Sequence, residues 1–207
     1  MNDYFLNLNT INERTFINEM YEYAKSNNVP IVTSEGLELI KLIIKLTNAK
    51  KILEIGTAIA YTSISCALIN KDITVDTIER NDKMYELALK NIKAIGLENR
   101  INVINEDALN VDVTTLNNDY DLIFIDAAKA QYIRFFEKYN LLLKRGGIII
   151  SDNLLFHGLV EKDNIKGKDL RALIRKIKNY NSWLEDNKNF ETTFLRIGDG
   201  MAISIKK

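Results

Sequence analysis

The sequence is poor in the residues that staple a chain, kink it or hold soft metals: its 207 residues include one cysteine, one histidine and one proline. A single cysteine, Cys66, excludes an internal disulfide and suits a reducing compartment. It falls on the apolar face of a helix and reads as a small buried hydrophobe rather than a reactive thiol. With His157 the only histidine, no Cys/His set can hold zinc. His157 itself reads as a loop residue lining the site, not as an essential base. Net charge is also lacking, 28 basic residues against 28 acidic, so a nucleic-acid or membrane partner would need a local patch. No apolar run approaches the roughly 20 residues of a membrane span. The opening MNDYFLNLNT lacks the basic start and apolar centre of a signal peptide, so a cytoplasmic protein with no membrane partner is expected. Without repeats, linkers or low-complexity tracts, residues 1–207 read as one domain.

What is present is organised around Lys51–Ser65, KILEIGTAIAYTSIS. The run Ile52-Leu53-Glu54-Ile55 reads as a short buried strand. Gly56 and the small residues Thr57, Ala58 and Ala60 form a tight turn, and Thr62 to Leu68 a helix. Strand, small-residue turn and helix N-terminus are where an α/β protein cradles a nucleotide-like ligand. Small side chains admit the ligand, and the Glu54 carboxylate can accept its hydrogen bonds. Only one glycine of G-x-G-x-x-G is present, so a phosphate-gripping loop is a poor match and a plain tight turn stays open.

Two helices precede this strand. Phe16, Ile17, Met20, Tyr21 and Ala24 have helical spacing within Asn12–Asn27, and Ser34 is expected to cap a second helix carrying Leu37, Leu39, Ile40, Ile43 and Ile44. They suggest a helical lid over residues 1–48 on a core of residues 49–207. Strands then alternate with helices: Ile73–Ile78, helix Asp82–Ile95, strand Ile101–Ile104, strand Asp121–Ile125. A helix from Tyr132 through Leu143 is expected to end before Gly146-Gly147, with strand Ile148–Ser151 after it. A helix over Lys168–Asn181 precedes Phe190–Ile197 and Met201–Ile205, which are separated only by Gly198-Asp199-Gly200, a hairpin signal. The pattern is α/β: a doubly wound, seven-stranded, mostly parallel sheet ending in an antiparallel pair.

Ligands of such sheets bind at the carboxyl ends of the strands, and each of the first five carries an acidic group there. These are Glu54, Glu79, Asp107, Asp126 and Asp152-Asn153. Each alone could be a solvated strand end; five on one rim suggest a site. Glu79 lies about 23 residues beyond Gly56, near the spacing at which a carboxylate binds ribose hydroxyls. Asp126, Asp152 and Asn153 offer two carboxylates and an amide oxygen, a hard set suited to Mg²⁺. Lys129, three residues after Asp126, is either a base (a neutral amine in a partly dry site beside a cation) or a solvated lysine at a helix start.

Together these residues resemble the class I S-adenosylmethionine-dependent methyltransferases, with their Rossmann-like fold, and more narrowly the cation-dependent O-methyltransferases of the catechol and caffeoyl-CoA type. LEIGTAIAYTS, FIDAAKAQY and GGIIISDNLLFHGLV carry the likeness, which runs from VPIVTSEG to RIGDGMAIS. The resemblance implies that Val32, Glu54, Gly56, Thr62, Ser63, Glu79, Asp107, Ala108 and Asp126 surround S-adenosylmethionine, with Glu79 on the ribose and Asp107-Ala108 near the adenine. It implies that Asp126, Asp152 and Asn153 hold Mg²⁺ or Mn²⁺, that Asp126 and Lys129 are catalytic, and that the protein is a homodimer. One departure is Ala60, where the family has glycine; its methyl is expected to crowd the cofactor. Asn28–Ile31, Asp126–Tyr132, Phe135-Phe136 and Ile197–Gly200 further resemble the bacterial tRNA 5-hydroxyuridine methyltransferases. The implied partner is then a tRNA anticodon loop bearing 5-hydroxyuridine, whose 5-hydroxyl and C4 carbonyl could chelate a cation as a catechol does.

The stretch from Lys166 to Lys178 bears on that partner. Leu170, Leu173, Ile174 and Ile177 form its apolar face, leaving Lys168, Arg171, Arg175 and Lys178 as candidate phosphate contacts. A merely solvated helix face explains them equally. A small-molecule catechol-type enzyme and a noncatalytic RNA- or nucleotide-binding module remain the alternatives.

Overall fold

The computed structural model describes residues 15–207. Seven strands form one sheet: β1 (Lys51–Ile55), β2 (Thr74–Glu79), β3 (Ile101–Asn105), β4 (Tyr120–Ile125), β5 (Leu143–Ser151), β6 (Phe190–Leu195) and β7 (Met201–Lys206), in the order β3-β2-β1-β4-β5-β7-β6. The first five run parallel, while β7 enters antiparallel to both β5 and β6. The order reverses direction between β1 and β4, and this switch point opens a crevice at the carboxyl ends of both strands.

Helices cover both faces: α1 (Thr15–Ser26), α2 (Ser34–Thr47), α3 (Tyr61–Ala67), α4 (Asp82–Ala94), α5 (Tyr132–Tyr139) and α6 (Lys168–Asp186). On one face Ile17, Met20, Ile40 and Ile44 of α1 and α2 share a core with Ile52, Phe124 and Ile150 of the sheet. On the other, Phe136, Tyr139, Tyr180 and Leu184 pack on Leu53, Ile123 and Ile149. The alternate residues of β1, β4 and β5 thus feed opposite cores, which explains why these strands read as unbroken apolar runs. Among the described residues no helix is long and apolar enough to cross a membrane.

The elements differ from the sequence reading in a few places. Residues 12–14 of the first expected helix lie outside the described residues. Thr33, not Ser34, caps α2: its extended backbone lets Oγ1 accept from Gly36 N at 3.2 Å. The helix from Tyr132 stops at Tyr139, and β5 already begins at Leu143, with Gly146 at φ 71° inside it. A register irregularity opposite Tyr120–Leu122 accommodates the glycine pair as a bulge rather than a loop. Helix α6 runs on to Asp186 because Tyr180 and Leu184 extend its buried face, and Trp183 meets Phe136 edge-on.

Candidate functional site

The β1–β4 crevice opens into a cavity of about 440 Å³. Its floor is the β1–α3 turn, and Gly56 explains how a ligand can reach it. Gly56 has φ 104°, and a Cβ there would stand 2.1 Å from the Asp126 carbonyl oxygen, so no side chain fits. The Gly56 and Thr57 N–H groups donate to the Ile78 carbonyl, drawing the turn towards β2. Ala58, at φ 48°, presents its N–H to Glu79 Oε2 at 2.8 Å, while Asn81 N donates to Oε1 at 2.8 Å. Glu79 is thereby fixed at the end of β2 with acceptor capacity remaining on both oxygens.

Of the residues expected around the cofactor, Gly56, Glu79, Asp107, Ala108 and Asp126 line this cavity together. The other four do not line it. Glu54 is 2% exposed, and its Oε2 accepts from Ser63 Oγ and from Thr77 Oγ1, so this carboxylate and Ser63 satisfy each other beneath the turn. Burial pushes the Glu54 carboxyl up to about 7 against those hydrogen bonds. Thr62 is buried in the first turn of α3, and Val32 lines a neighbouring hollow with Tyr21 and Glu35. Ala60 also differs from expectation. It sits at φ 66° as the N-cap of α3, and its methyl packs into the apolar core rather than the cavity. Its cost is left-handed backbone in a non-glycine residue, about 1 kcal/mol.

Several lining residues escaped the sequence reading. Asn27–Pro30, the α1–α2 connection, closes one side, and Met84 and Phe135 add apolar walls. Arg80 stands at the rim, 3.6 Å from Asp107. Asn28–Pro30 and Phe135 belong to stretches that carry the family resemblance, but nothing local marks them as cavity lining; only the fold brings them to the strand ends.

At the far end of the crevice lie Asp126, Asp152 and Asn153. Asn153 is in the left-handed region (φ 63°), and its Nδ2 donates to Asp126 Oδ1 at 3.1 Å. Its main-chain N–H donates to Asp152 Oδ1 at 2.6 Å, and Tyr132 OH donates to the Asp152 carbonyl at 3.0 Å. Lys129 Nζ is 3.7 Å from Asp126 Oδ1, so the lysine expected to be either catalytic or solvated turns towards the pair, with its side chain 21% exposed. Burial raises the Asp126 carboxyl above its ordinary range, partly offset by Lys129. Burial, then the Asp126 charge, pushes Asp152 up to about 7. Two carboxylates repelling one another, with few donors between them, form a hard-oxygen set that a divalent cation would relieve. Among the described residues no three His, Cys, Asp or Glu side chains form a ligand cluster, so the amide of Asn153 is needed for a third side-chain donor.

His157, expected to line the site, instead has a 77% exposed side chain on the loop beyond Asn153 and is not part of the cavity wall. Cys66 is buried as expected, and burial pushes its thiol up. Arg175 and Lys178 are exposed on α6, as is Arg171, whose Nη1 donates to the Ile165 carbonyl at 3.1 Å. Lys168 is exposed at the helix start.

Comparison with known proteins agrees with this geometry. The O-methyltransferase family pattern matches residues 9–207. The chain is 33% identical over 189 residues to a caffeoyl-CoA O-methyltransferase of Populus kitakamiensis, covering 88% of this chain and 80% of that one. A Staphylococcus aureus protein, whose crystal structure describes it as a candidate caffeoyl-CoA O-methyltransferase, superposes with a TM-score of 0.92 at 43% identity, over 98% of both chains. The Bacillus cereus O-methyltransferase in complex with SAH shares the fold, with a TM-score of 0.81 at 24% identity, over 95% of this chain and 93% of that one. The chain therefore shares its fold with these proteins and belongs to the S-adenosylmethionine-dependent O-methyltransferases of the caffeoyl-CoA type.

Proposed function

We propose that the chain methylates the 5-hydroxyl of 5-hydroxyuridine at the wobble position of tRNA, giving 5-methoxyuridine, with a divalent cation, Mg²⁺ or Mn²⁺, held by Asp126, Asp152 and Asn153. The observation that carries the RNA reading is the charge of α6. In a chain with no net charge, Lys168, Arg171, Arg175, Lys176 and Lys178 are all exposed on one helix. That helix packs against residues 129–131 and 159–161, the segments flanking the candidate cation site. A basic strip there can follow phosphates while a base enters the crevice.

The chemistry follows from the side chains. Gly56 admits the cofactor to the β1–β4 crevice, and Glu79 orients it through ribose hydroxyls. Asp126, Asp152 and Asn153 would hold the cation, which would supply Lewis-acid stabilisation of the negative charge developing on the substrate oxygen. Lys129, beside Asp126, receives the hydroxyl proton. The new O–CH₃ bond forms as the S–CH₃ bond breaks, leaving S-adenosylhomocysteine, and holding the two reactants in line supplies much of the rate. The second reading, a small phenol substrate, is favoured by the curated relatives, which include caffeoyl-CoA and flavonoid 3',5'-methyltransferases. A cytoplasmic homodimer remains the expected form.

The test is methyl transfer from labelled S-adenosylmethionine to tRNA carrying 5-hydroxyuridine and, separately, to a catechol, with Mg²⁺ or with chelator. Metal-dependent label in tRNA, with little in catechol, supports the proposal; efficient catechol methylation with unlabelled tRNA overturns it. Arg175→Ala with Lys178→Ala should weaken tRNA binding about tenfold and lower its salt slope by roughly two. Arg171 is a poorer probe, because it also holds Ile165.

A further inference from the structure

The turn between β6 and β7 does more than join two strands. It closes through Gly200 N on the Ile197 carbonyl at 3.0 Å and reaches across to the loop that follows Asn153. Leu154 N donates to the Gly200 carbonyl at 2.9 Å, and Leu155 N donates to the Asp199 carbonyl at 2.8 Å. His157 N donates to Asp199 Oδ1 at 2.6 Å. Three of the four residues from 154 to 157 thus hang by their main-chain N–H on two residues of one turn.

That loop needs holding. Asn153, Phe156 and His157 lie in the left-handed region at φ 63°, 46° and 56°, where a side chain's Cβ crowds the backbone and each non-glycine residue is strained. The turn is itself built for close approach. A Cβ on Gly200 would stand 2.6 Å from Leu155 Cγ, and one on Gly198 would stand 2.5 Å from Thr33 Oγ1, the cap of α2. The turn is therefore wedged between the α2 N-terminus and the loop, and cannot slide without moving one of them. Within it Asp199 Oδ2 is buried and accepts no hydrogen bond among the described residues, with His157 Nδ1 3.7 Å away. A carboxylate kept in this position at a desolvation cost, with one oxygen spent on a strained main-chain N–H, is a device for fixing that N–H.

We propose that Asp199 is a positioning residue for the candidate cation site: it holds the 154–157 loop so that the strained Asn153 keeps its amide beside Asp126. The inference rests on the reading of Asp126, Asp152 and Asn153 as cation ligands. Asp199 hydrogen-bonds none of these side chains; its charge adds to the repulsion felt by Asp152, but the alanine and asparagine variants remove that charge alike, so the difference between them reads the hold on the loop.

The test is Mn²⁺ binding to the full chain, followed by electron paramagnetic resonance without cofactor or substrate, in the unaltered protein and in Asp199→Ala, Asp199→Asn and the double variant Asp199→Ala/His157→Gly. Asp199→Ala should bind Mn²⁺ about tenfold more weakly, in the range found when outer partners of metal ligands are removed. Asp199→Asn, which keeps an oxygen acceptor for His157 N, should stay within about threefold of the unaltered protein. His157→Gly removes one left-handed penalty and should recover part of the loss in the double variant. Unchanged Mn²⁺ binding by Asp199→Ala overturns the inference while leaving the cation reading intact. Equal losses in the alanine and asparagine variants, with no recovery in the double variant, also overturn it. Absence of Mn²⁺ binding by the unaltered chain would remove the cation reading, and this inference with it.

Discussion

Two buried carboxylate sites on the same sheet show how environment separates structure from chemistry. Asp76, in the middle of β2, is 8% exposed and receives three neutral donors: Asn102 Nδ2 at 2.9 Å, Asn117 Nδ2 at 2.7 Å and Tyr120 OH at 2.6 Å. It ties β2 to β3 and to the segment entering β4. Asp152, at the end of β5, is 3% exposed, and beside it stands a second carboxylate, Asp126, rather than a ring of donors. The first site is closed, with every donor engaged. The second is held in a condition that only a proton or a cation relieves, which is the state expected of a ligand site.

Removing each carboxylate should break the comparison in opposite ways. Asp152→Ala is expected to lower methyl transfer by about 10³-fold, several kcal/mol of lost charge stabilisation. Its melting temperature should hold or rise, because a repelling buried charge is gone. Asp76→Ala should do the reverse, losing about 3 kcal/mol of stability in denaturant titrations by leaving three donors without their acceptor. Its cation affinity should stay within about twofold, since the site is remote from the β4 and β5 ends. Similar thermal losses in both variants would erase the distinction.

Glu54 sharpens it further, being a single buried carboxyl with only hydroxyl donors. Its folded value of about 7 lies above the ordinary 4.5, so the folded state binds more protons across that interval. Stability from this group is full below pH 4.5 and declines as pH rises towards 7. Glu54→Gln should flatten that slope, by on the order of 3 kcal/mol at pH 8 relative to the parent, read from unfolding curves across pH. The smallest effect belongs to the acidic pair itself. Asp152 must lose its proton to ligate, so cation affinity should rise by up to about tenfold per pH unit and level off above about 7. A flat Mn²⁺ affinity between pH 5.5 and 7.5 would count against Asp152 as a ligand.

Much of this is legible in the sequence alone. Strand β1, the Gly56 turn, the alternation through β5 and the terminal hairpin follow from periodicity and turn residues, because a two-residue or 3.6-residue repeat is local information. The acidic strand ends were legible for the same reason: each closes an apolar run. What misled were residues whose local signal is ambiguous. Leu142-Leu143 continue a helical pattern, yet Leu143 pairs with Tyr120 in the sheet. Glu54 looks like a ligand at a strand end, but the alternation of side chains turns it under the α3 helix, towards Ser63 and Thr77.

The sequence by itself determined the element types, the family and the set of oxygen-bearing residues available at one rim. Tertiary structure alone decided which of them meet. Gly56 is obligatory only because the Asp126 carbonyl crosses it. Ala60 is harmless to the cavity only because its methyl faces the core. Asp199 stands against the loop after Asn153 only because β7 inserts antiparallel between β5 and β6. These are contacts between residues tens of positions apart, set by strand order and close packing, and no local pattern encodes them.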